Sequence, residues 1–156
     1  KNLLFTEGTN ENFREDRYQH WPNAERYGNS MINDFNRGTV GWTDWNILLD
    51  HTGGPNHVQN FCFAPIHADT RTGELIYTPT YYYIGHFSKF VRPEAQRIST
   101  SSSRSFLLAT SFVNTDNQMA TIVMNHTDKP VDYNFFVGEG QTKLTIPPRA
   151  MQTLVY

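Results

Sequence analysis

The sequence predicts an α/β segment of barrel type followed by an antiparallel β-sandwich. In the first part of the chain, apolar strand patterns alternate with helical patterns, which is the order found in a parallel α/β sheet or barrel. In the second part, short alternating segments are separated by turn residues, which is typical of a sandwich. We therefore divide the chain into residues 1–93 and residues 94–156.

The first predicted strand and helix lie within residues 2–38. An apolar strand ends at Glu7, and a polar loop follows it over residues 8–22. After this loop, apolar residues recur at every third or fourth position, which is helical spacing. Asn23 is predicted to cap this helix, and Gly38 to end it in the left-handed conformation. The recurring apolar residues are Ala24, Tyr27, Met31 and Phe35.

A second strand is predicted to begin at Thr39, and a second helix to occupy residues 79–90. Between them, residues 50–78 are rich in Gly, Pro, Asn and His, which predicts a long loop. Pro79 suits the first turn of the second helix. A closed barrel needs eight strand–helix units. Two units therefore imply that the remaining ones come from other polypeptide.

The second part of the chain is predicted to contain five strands. The clearest alternation of apolar and polar side chains lies in residues 131–137. The five segments are residues 106–114, 120–125, 131–137, 143–146 and 151–156. We find no catalytic constellation among them, and we interpret this part as an accessory domain.

The composition excludes several classes of function. The 156 residues include 13 Lys and Arg against 15 Asp and Glu, so no basic field is available for nucleic acid. No apolar run approaches the roughly 20 residues of a membrane span. Cys62 is the single cysteine, and its position between two phenylalanines predicts a buried, unreactive thiol. Asn125-His126-Thr127 is an N-glycosylation acceptor triplet.

Within residues 39–49, a strand-like pattern ends with Asp44, Trp45 and Asn46 next to one another. Sugars have apolar C–H faces that lie against indole rings, and hydroxyls that need paired donors and acceptors. An acid, a flat aromatic face and an amide therefore indicate a carbohydrate site. The alternative is a core strand in which Trp42 and Trp45 only pack.

Glu7 and Asp44 are the candidate reacting groups. Each follows a predicted buried strand, where barrel enzymes keep their catalytic residues, so the two strand ends should converge. A glycosidase needs a nucleophile or base carboxylate and a proton donor. The alternatives are a structural role for Glu7, and an Asp44 that positions a hydroxyl or braces a neighbour.

The loop over residues 52–61 bends at its glycines and is predicted to bring Asn56, His57 and Asn60 towards these strand ends. The alternative for each is a side chain that satisfies the loop backbone. The histidines in and around this loop are irregularly spaced, so we predict no metal site. Nothing in the sequence indicates a cofactor.

Several uncommon strings occur in order within residues 1–98. They are Leu3-Leu-Phe-Thr-Glu-Gly8, Trp21, Ala24-Glu-Arg-Tyr-Gly28, Gly41-Trp-Thr-Asp-Trp-Asn46, Gly53-Gly-Pro-Asn56, Asn60-Phe61 and Tyr83-Ile-Gly-His-Phe-Ser-Lys-Phe90. Together they resemble glycoside hydrolase family 30, in particular its bacterial glucosylceramidase branch.

This resemblance implies the last two β/α units of a (β/α)8 TIM barrel, strands 7 and 8 with their helices, followed by most of an antiparallel β-sandwich. It implies a retaining β-glycosidase of the glucosylceramidase or β-glucosidase type, with Glu7 at the nucleophile position. Trp45 and Asn60 fall on positions that hold the sugar. Asp44 and Trp42 fall in the same block, in a supporting role.

The family's acid/base glutamate, part of an Asn-Glu pair after the fourth strand, has no counterpart here. The one Asn-Glu pair, Asn10-Glu11, lies in the loop after Glu7. We therefore expect a fragment or processed chain that works with the N-terminal barrel segment. We also expect a secreted or periplasmic protein of carbohydrate or sphingolipid metabolism.

Other functions remain open on the sequence. Within the same family, the alternatives are a β-xylosidase and a 1,6-β-glucanase. Outside it, one alternative is a non-catalytic carbohydrate-binding module, a sandwich with exposed tryptophans. Another is a structural piece of an unrelated barrel enzyme, in which Trp45 and Asn60 would face the core.

Overall fold

The computed structural model describes residues 2–156 as two compact units, the first ending at Gly85 and the second spanning His86–Tyr156. The first unit contains the predicted strand–helix–strand order. Its strands are β1 (Leu3–Gly8), β2 (Asn10–Glu11), β3 (Thr39–Asp44), β4 (Leu48–Asp50), β5 (Cys62–Phe63), β6 (Ile66–Asp69) and β7 (Glu74–Tyr77). A short 3-10 helix (Glu15–Arg17) and helix α1 (Trp21–Asn36) lie between β2 and β3, and helix α2 (Pro79–Ser88) follows β7.

Strands β1 and β3 pair in parallel, with α1 as the connection between them. The register places Leu4 opposite Gly41 and Gly8 opposite Asp44. A parallel pair of strands needs a crossover of this kind, and a helix is its usual form. The predicted β/α unit is therefore present, and both strands end at the same edge.

Helix α1 begins two residues earlier than the sequence predicted. It starts at Trp21 with Pro22 in its first turn, and no side chain caps it, so the assignment of Asn23 as the cap was wrong. Proline suits this position because the first N–H groups of a helix have no partner within the helix. The predicted end is confirmed, since Gly38 has a φ of +98°.

The long loop predicted over residues 50–78 contains three short strands, β5, β6 and β7, between residues 62 and 77. Strands β4, β6 and β7 form a three-stranded sheet, and β5 pairs antiparallel with β2. His67 stabilises this region from inside, because its Nδ1 contacts the Asp50 carbonyl oxygen at 2.8 Å and its Nε2 accepts from the Ala64 N–H at 2.9 Å. A polar residue that is buried in this way conceals the strand pattern in the sequence.

The second unit is an antiparallel sandwich, as predicted. Its strands are β8 (Gln96–Ile98), β9 (Leu107–Val113), β10 (Met119–Asn125), β11 (Val131–Val137), β12 (Gly140–Ile146) and β13 (Met151–Val155). One sheet has the order β13-β10-β9-β8, and the other is the hairpin β11-β12. Strand β8 was not predicted from the sequence. The strand predicted at residues 143–146 starts three residues after the observed start of β12.

The two sheets of the sandwich meet through Leu107, Val123 and Ile146, which are buried together. Val131 and Tyr133 pack against this cluster from β11. Beside it lies a cavity of about 770 Å³ that is also lined by the polar residues 99–103. None of the predicted site residues lines this cavity.

Candidate active site

The carboxyl ends of β1 and β3 are joined by a main-chain hydrogen bond. The N–H of Trp45 donates to the carbonyl oxygen of Gly8 at 2.7 Å, one residue beyond the pairing of Gly8 with Asp44. The Glu7 backbone is covalently adjacent to this bond on one strand, and the Trp45 backbone forms it on the other. The structure therefore brings these two chain segments to one edge.

Gly8 is required at this edge by the close approach of Trp42. A Cβ at residue 8 would lie 2.4 Å from Cη2 and 2.8 Å from Cζ2 of the indole, which is far inside van der Waals contact. The same indole stacks on Phe5 with ring centroids 4.8 Å apart and an interplanar angle of 6°. Its Nε1 donates to Asp34 Oδ2 at 3.3 Å. Trp42 is thus engaged by protein groups and supports the strand ends.

Asp44 ends β3 and directs its carboxyl towards α1. Its Oδ1 accepts from the Tyr27 hydroxyl at 2.7 Å and from the Trp45 N–H at 2.9 Å. Its Oδ2 is buried and has no hydrogen-bond partner within residues 2–156. Burial raises the pKa of Asp44 to about 6, and the two hydrogen bonds to Oδ1 oppose this rise.

Glu7 and Trp45 are both exposed at this edge. The Glu7 side chain is exposed, and 53% of Trp45 is accessible. An exposed carboxylate and an exposed indole are available to a ligand, whereas Trp42 and Asp44 lie more deeply. Within residues 2–156, the Trp45 ring is therefore not packed in a core.

The loop after β4 is braced by two of its own side chains. Asp50 Oδ1 accepts from the N–H groups of Thr52 and Gly54, and Asn56 Oδ1 accepts from that of Asn60. Hydrogen bonding to the Asp50 carboxylate lowers its pKa against the opposing effect of burial. Asn56 thus satisfies loop backbone, and the side chain of Asn60 is exposed.

This loop is also tied to the segment that follows Glu7. Strand β5, two residues after Asn60, pairs with β2, and the N–H of Phe13 donates to the Phe61 carbonyl oxygen at 3.1 Å. Gly53 has a φ of +79°, and a Cβ there would lie 2.5 Å from the Phe13 ring. The close packing at Gly53 fixes the turn that leads to Asn60.

No metal centre is found among residues 2–156: no three of their His, Cys, Asp and Glu side chains gather as ligands. The ring nitrogens of His67 are occupied by the Asp50 and Ala64 main chain, and burial lowers its pKa, which keeps the imidazole neutral. Cys62 is buried as predicted. Within the same residues, no helix has the length and apolar character to cross a bilayer.

Tyr27 is the site residue that sequence reasoning missed. The helical periodicity identified it only as one member of a buried face, and it is 3% exposed. Its hydroxyl reaches Asp44 because α1 packs on β3. The available signal was a phenol on an apolar helix face, since a buried hydroxyl requires a polar partner.

A parallel strand pair joined by a helix, followed by an antiparallel sandwich, defines the fold class as a portion of an α/β barrel with a β-sandwich domain. The glycosyl hydrolase family 30 TIM-barrel domain matches residues 3–91, and the family's beta sandwich domain matches residues 94–154. The chain belongs to glycosyl hydrolase family 30. The predicted fold, a portion of a TIM barrel followed by a β-sandwich, is thereby confirmed.

Named relatives of this chain are glucosylceramidases. Putative glucosylceramidase 3 of Caenorhabditis elegans is 32% identical over 139 residues, covering 87% of this chain and 27% of that protein. Lysosomal acid glucosylceramidase of Mus musculus is 35% identical over 112 residues, covering 71% of this chain and 22% of that protein. The chain thus spans about a quarter of the length of these curated relatives.

Solved structures agree with this assignment. SrfJ from Salmonella typhimurium superposes with a TM-score of 0.95 at 35% identity, covering all of this chain (100%) and 35% of that chain. An endo-beta1,6-glucanase gives a TM-score of 0.81 at 26% identity, covering 98% of this chain and 34% of that one. A family 30 xylanase from Clostridium acetobutylicum, at 18% identity and a TM-score of 0.70, shares the fold and covers 99% of this chain and 42% of that one.

Proposed function

We propose that this chain supplies the nucleophile half of the active site of a retaining β-glycosidase of the glucosylceramidase type. The observation that carries the proposal is the hydrogen bond between the main chains of Trp45 and Gly8. It holds together the two strand ends that present Glu7 and the exposed indole. A nucleophile and a sugar platform must lie side by side in such an enzyme.

In the proposed first step, the ionised Glu7 carboxylate bonds to the anomeric carbon as the glycosidic C–O bond breaks. The leaving oxygen keeps the bonding electron pair and takes a proton from a second carboxylic acid. In the second step, that group removes a proton from water, the water oxygen bonds to the anomeric carbon, and the bond to Glu7 breaks. The sugar is released with its anomeric configuration retained.

The remaining predicted residues bind the sugar or hold the groups that do. The Trp45 ring offers its face to sugar C–H groups, and the exposed Asn60 amide can both donate to and accept from hydroxyls. Asp44 and Trp42 support the strand ends, because the Asp44 carboxyl accepts from the Trp45 N–H and the Trp42 ring lies against Gly8.

The acid/base carboxyl belongs, in this proposal, to polypeptide that completes the barrel. Glu11, of the one Asn-Glu pair, lies in β2 beside Cys62, not at the end of a parallel strand. We call this chain together with the completing polypeptide the assembled enzyme. Its location outside the cytoplasm stays a prediction.

Two features favour this function over the alternatives. The chain's three tryptophans are Trp21, Trp42 and Trp45, so the sandwich has none, and a binding module built on sandwich tryptophans is disfavoured. The two curated relatives, at 32% and 35% identity, carry the glucosylceramidase name, whereas the glucanase and the xylanase are 26% and 18% identical. This favours a glucosylceramide-like β-glucoside as substrate over a β-xyloside or a 1,6-β-glucan.

The experiment is Glu7→Gln in the assembled enzyme, with Glu11→Gln as the matched control. Glu7→Gln keeps shape but removes the nucleophile, so kcat should fall by on the order of a thousandfold or more while sugar binding persists. Glu11→Gln, at another exposed glutamate close in sequence, should retain full activity. Activity of Glu7→Gln within severalfold of the parent would refute the proposal.

A further inference from the structure

Tyr27 of α1 is buried and contacts both Trp42 and Asp44. Its side chain is 3% exposed, and its ring lies edge-on to Trp42 with centroids 5.1 Å apart and an interplanar angle of 62°. Burial, followed by the neighbouring Asp44 carboxyl, raises the pKa of the Tyr27 phenol. The phenol therefore stays protonated and remains a donor, directed at Asp44 Oδ1 2.7 Å away.

The oxygen that Tyr27 contacts is shared with the main chain of the candidate site. Asp44 Oδ1 also accepts from the Trp45 N–H at 2.9 Å. That N–H in turn lies 2.7 Å from the Gly8 carbonyl oxygen. A continuous set of hydrogen bonds thus leads from the helix to the strand ends that carry the indole and Glu7.

Within residues 2–156, the bond from Tyr27 is the one hydrogen bond to the Asp44 carboxyl from outside its own strand end. Oδ2 is buried without a partner within residues 2–156. The remaining donor to the carboxyl, the Trp45 N–H, belongs to the adjacent residue and moves with it. Without the Tyr27 hydroxyl, nothing in α1 would hold the carboxyl or the peptide that follows it.

We propose that Tyr27 is a positioning residue for the glycosidase reaction, which acts through Asp44 to set the placement of Trp45 relative to Glu7. This inference rests on the proposed function. Tyr27 itself lies in the protein interior and does not touch the sugar. Its role is to hold the sugar platform at the distance from the nucleophile that in-line attack requires.

The first test is Tyr27→Phe in the assembled enzyme, with rates scaled to active sites titrated with a mechanism-based inhibitor. The phenylalanine keeps the packing on Trp42 and removes the hydrogen bond. Since small misplacements of reacting groups slow attack strongly, we expect kcat to fall about 10–100-fold. KM should change by less than about threefold, because the sugar still finds its platform in the ground state. A structural effect alone would reduce the number of titrated sites and leave kcat per site unchanged.

The matched control is Tyr133→Phe in the sandwich. Tyr133 is a partly buried phenol that, like Tyr27, donates to a side-chain oxygen, here Gln152 Oε1 at 3.0 Å. Removing the Tyr133 hydroxyl should leave kcat per titrated site unchanged. Equal kcat in the parent and in Tyr27→Phe would overturn the inference.

A double-mutant cycle tests the route through Asp44. If Tyr27 acts by way of this carboxyl, Tyr27→Phe should add no further loss of kcat in the background of Asp44→Ala. Losses that multiply would overturn the route. The two proposals fail separately: an active Glu7→Gln enzyme removes the proposed function, whereas an inactive Glu7→Gln enzyme with an unaffected Tyr27→Phe enzyme removes only this inference.

Discussion

The N–H of Trp45 donates to the carbonyl oxygen of Gly8 at 2.7 Å, which closes the parallel pairing of β1 and β3 at their carboxyl ends. This bond joins the residue beside the proposed nucleophile to the proposed sugar platform. The groups beneath it, Trp42 and Asp44, are held by α1. Helix α1 and the carboxyl ends of β1 and β3 are therefore connected by direct contacts. Substitutions of single residues can test each contact separately.

Asp44 should make the stability of the enzyme depend on mildly acidic pH. Its pKa is about 6 in the folded chain, and an unfolded Asp has a pKa of about 4. The folded state thus binds this proton more tightly, so this contribution to stability is fully present below about pH 4 and is lost as pH rises through about 6. Because Asp44 is partly exposed, solvent screening reduces this contribution. The free energy of unfolding should therefore fall by about 1–2 kcal/mol.

The measurement is the free energy of unfolding between pH 4 and pH 7, in the parent and in Asp44→Asn. The asparagine keeps an Oδ1 acceptor and does not titrate, so its curve should lack this fall. The lowered pKa values of Asp69 and Asp128 act with the opposite sign but are common to both proteins. Parallel curves for the two proteins would show that Asp44 does not titrate in this range.

Gly8→Ala should destabilise the strand edge. The new methyl would meet the ring of Trp42, which is held by Phe5 and cannot withdraw freely, so we expect a loss of about 1–3 kcal/mol. Gly85→Ala is the control, because nothing lies within 4 Å of its Cβ position and alanine favours a helix by about 0.5–1 kcal/mol. Denaturant unfolding measures both, and an equally stable Gly8→Ala protein would contradict the packing described.

Asn125 should carry no glycan in the folded protein, despite its acceptor triplet. The side chain is 0% exposed: its Nδ2 donates to the carbonyl oxygens of Lys129 and Pro147, and its Oδ1 accepts from both the N–H and the hydroxyl of Thr127. Expression in a glycosylating host, followed by peptide mass spectrometry, should find this residue unmodified. A folded protein with a glycan at this position would contradict the structure.

The same four hydrogen bonds predict a large effect of Asn125→Ala. Removing them leaves buried polar groups without partners, so stability should fall by about 2–4 kcal/mol. Asn134→Ala, at an exposed position of β11, should change it by less than about 0.5 kcal/mol. Thermal unfolding of the two variants gives the comparison, and similar values for both would contradict the role assigned to Asn125.

Much of the fold was predictable because its strands have strong patterns. The strand at residues 131–137 has the predicted bounds, since apolar and polar residues alternate along it. The parallel pair was recognisable from its apolar strands and the intervening helix. The sheet around His67 was not, because short strands with buried polar residues are held by hydrogen bonds that no periodicity reveals.

For the candidate site, the sequence identified the groups at the strand ends but not their support. Glu7, Asp44 and Trp45 stood out because they follow strand patterns directly. The hydrogen bond from Tyr27 to Asp44 joins residues that are 17 positions apart in the sequence, and it depends on how α1 is rotated against β3. Such a contact follows from packing, which local sequence pattern does not specify.

The central claim is that Glu7 is the nucleophile, and covalent trapping tests it most directly. The assembled enzyme is treated with a β-glucoside that forms a stable ester with the attacking carboxylate, and the labelled peptide is then mapped. We predict a single label on Glu7, which Glu7→Gln abolishes. A label on Asp44, or on a carboxylate outside this chain, would contradict the account.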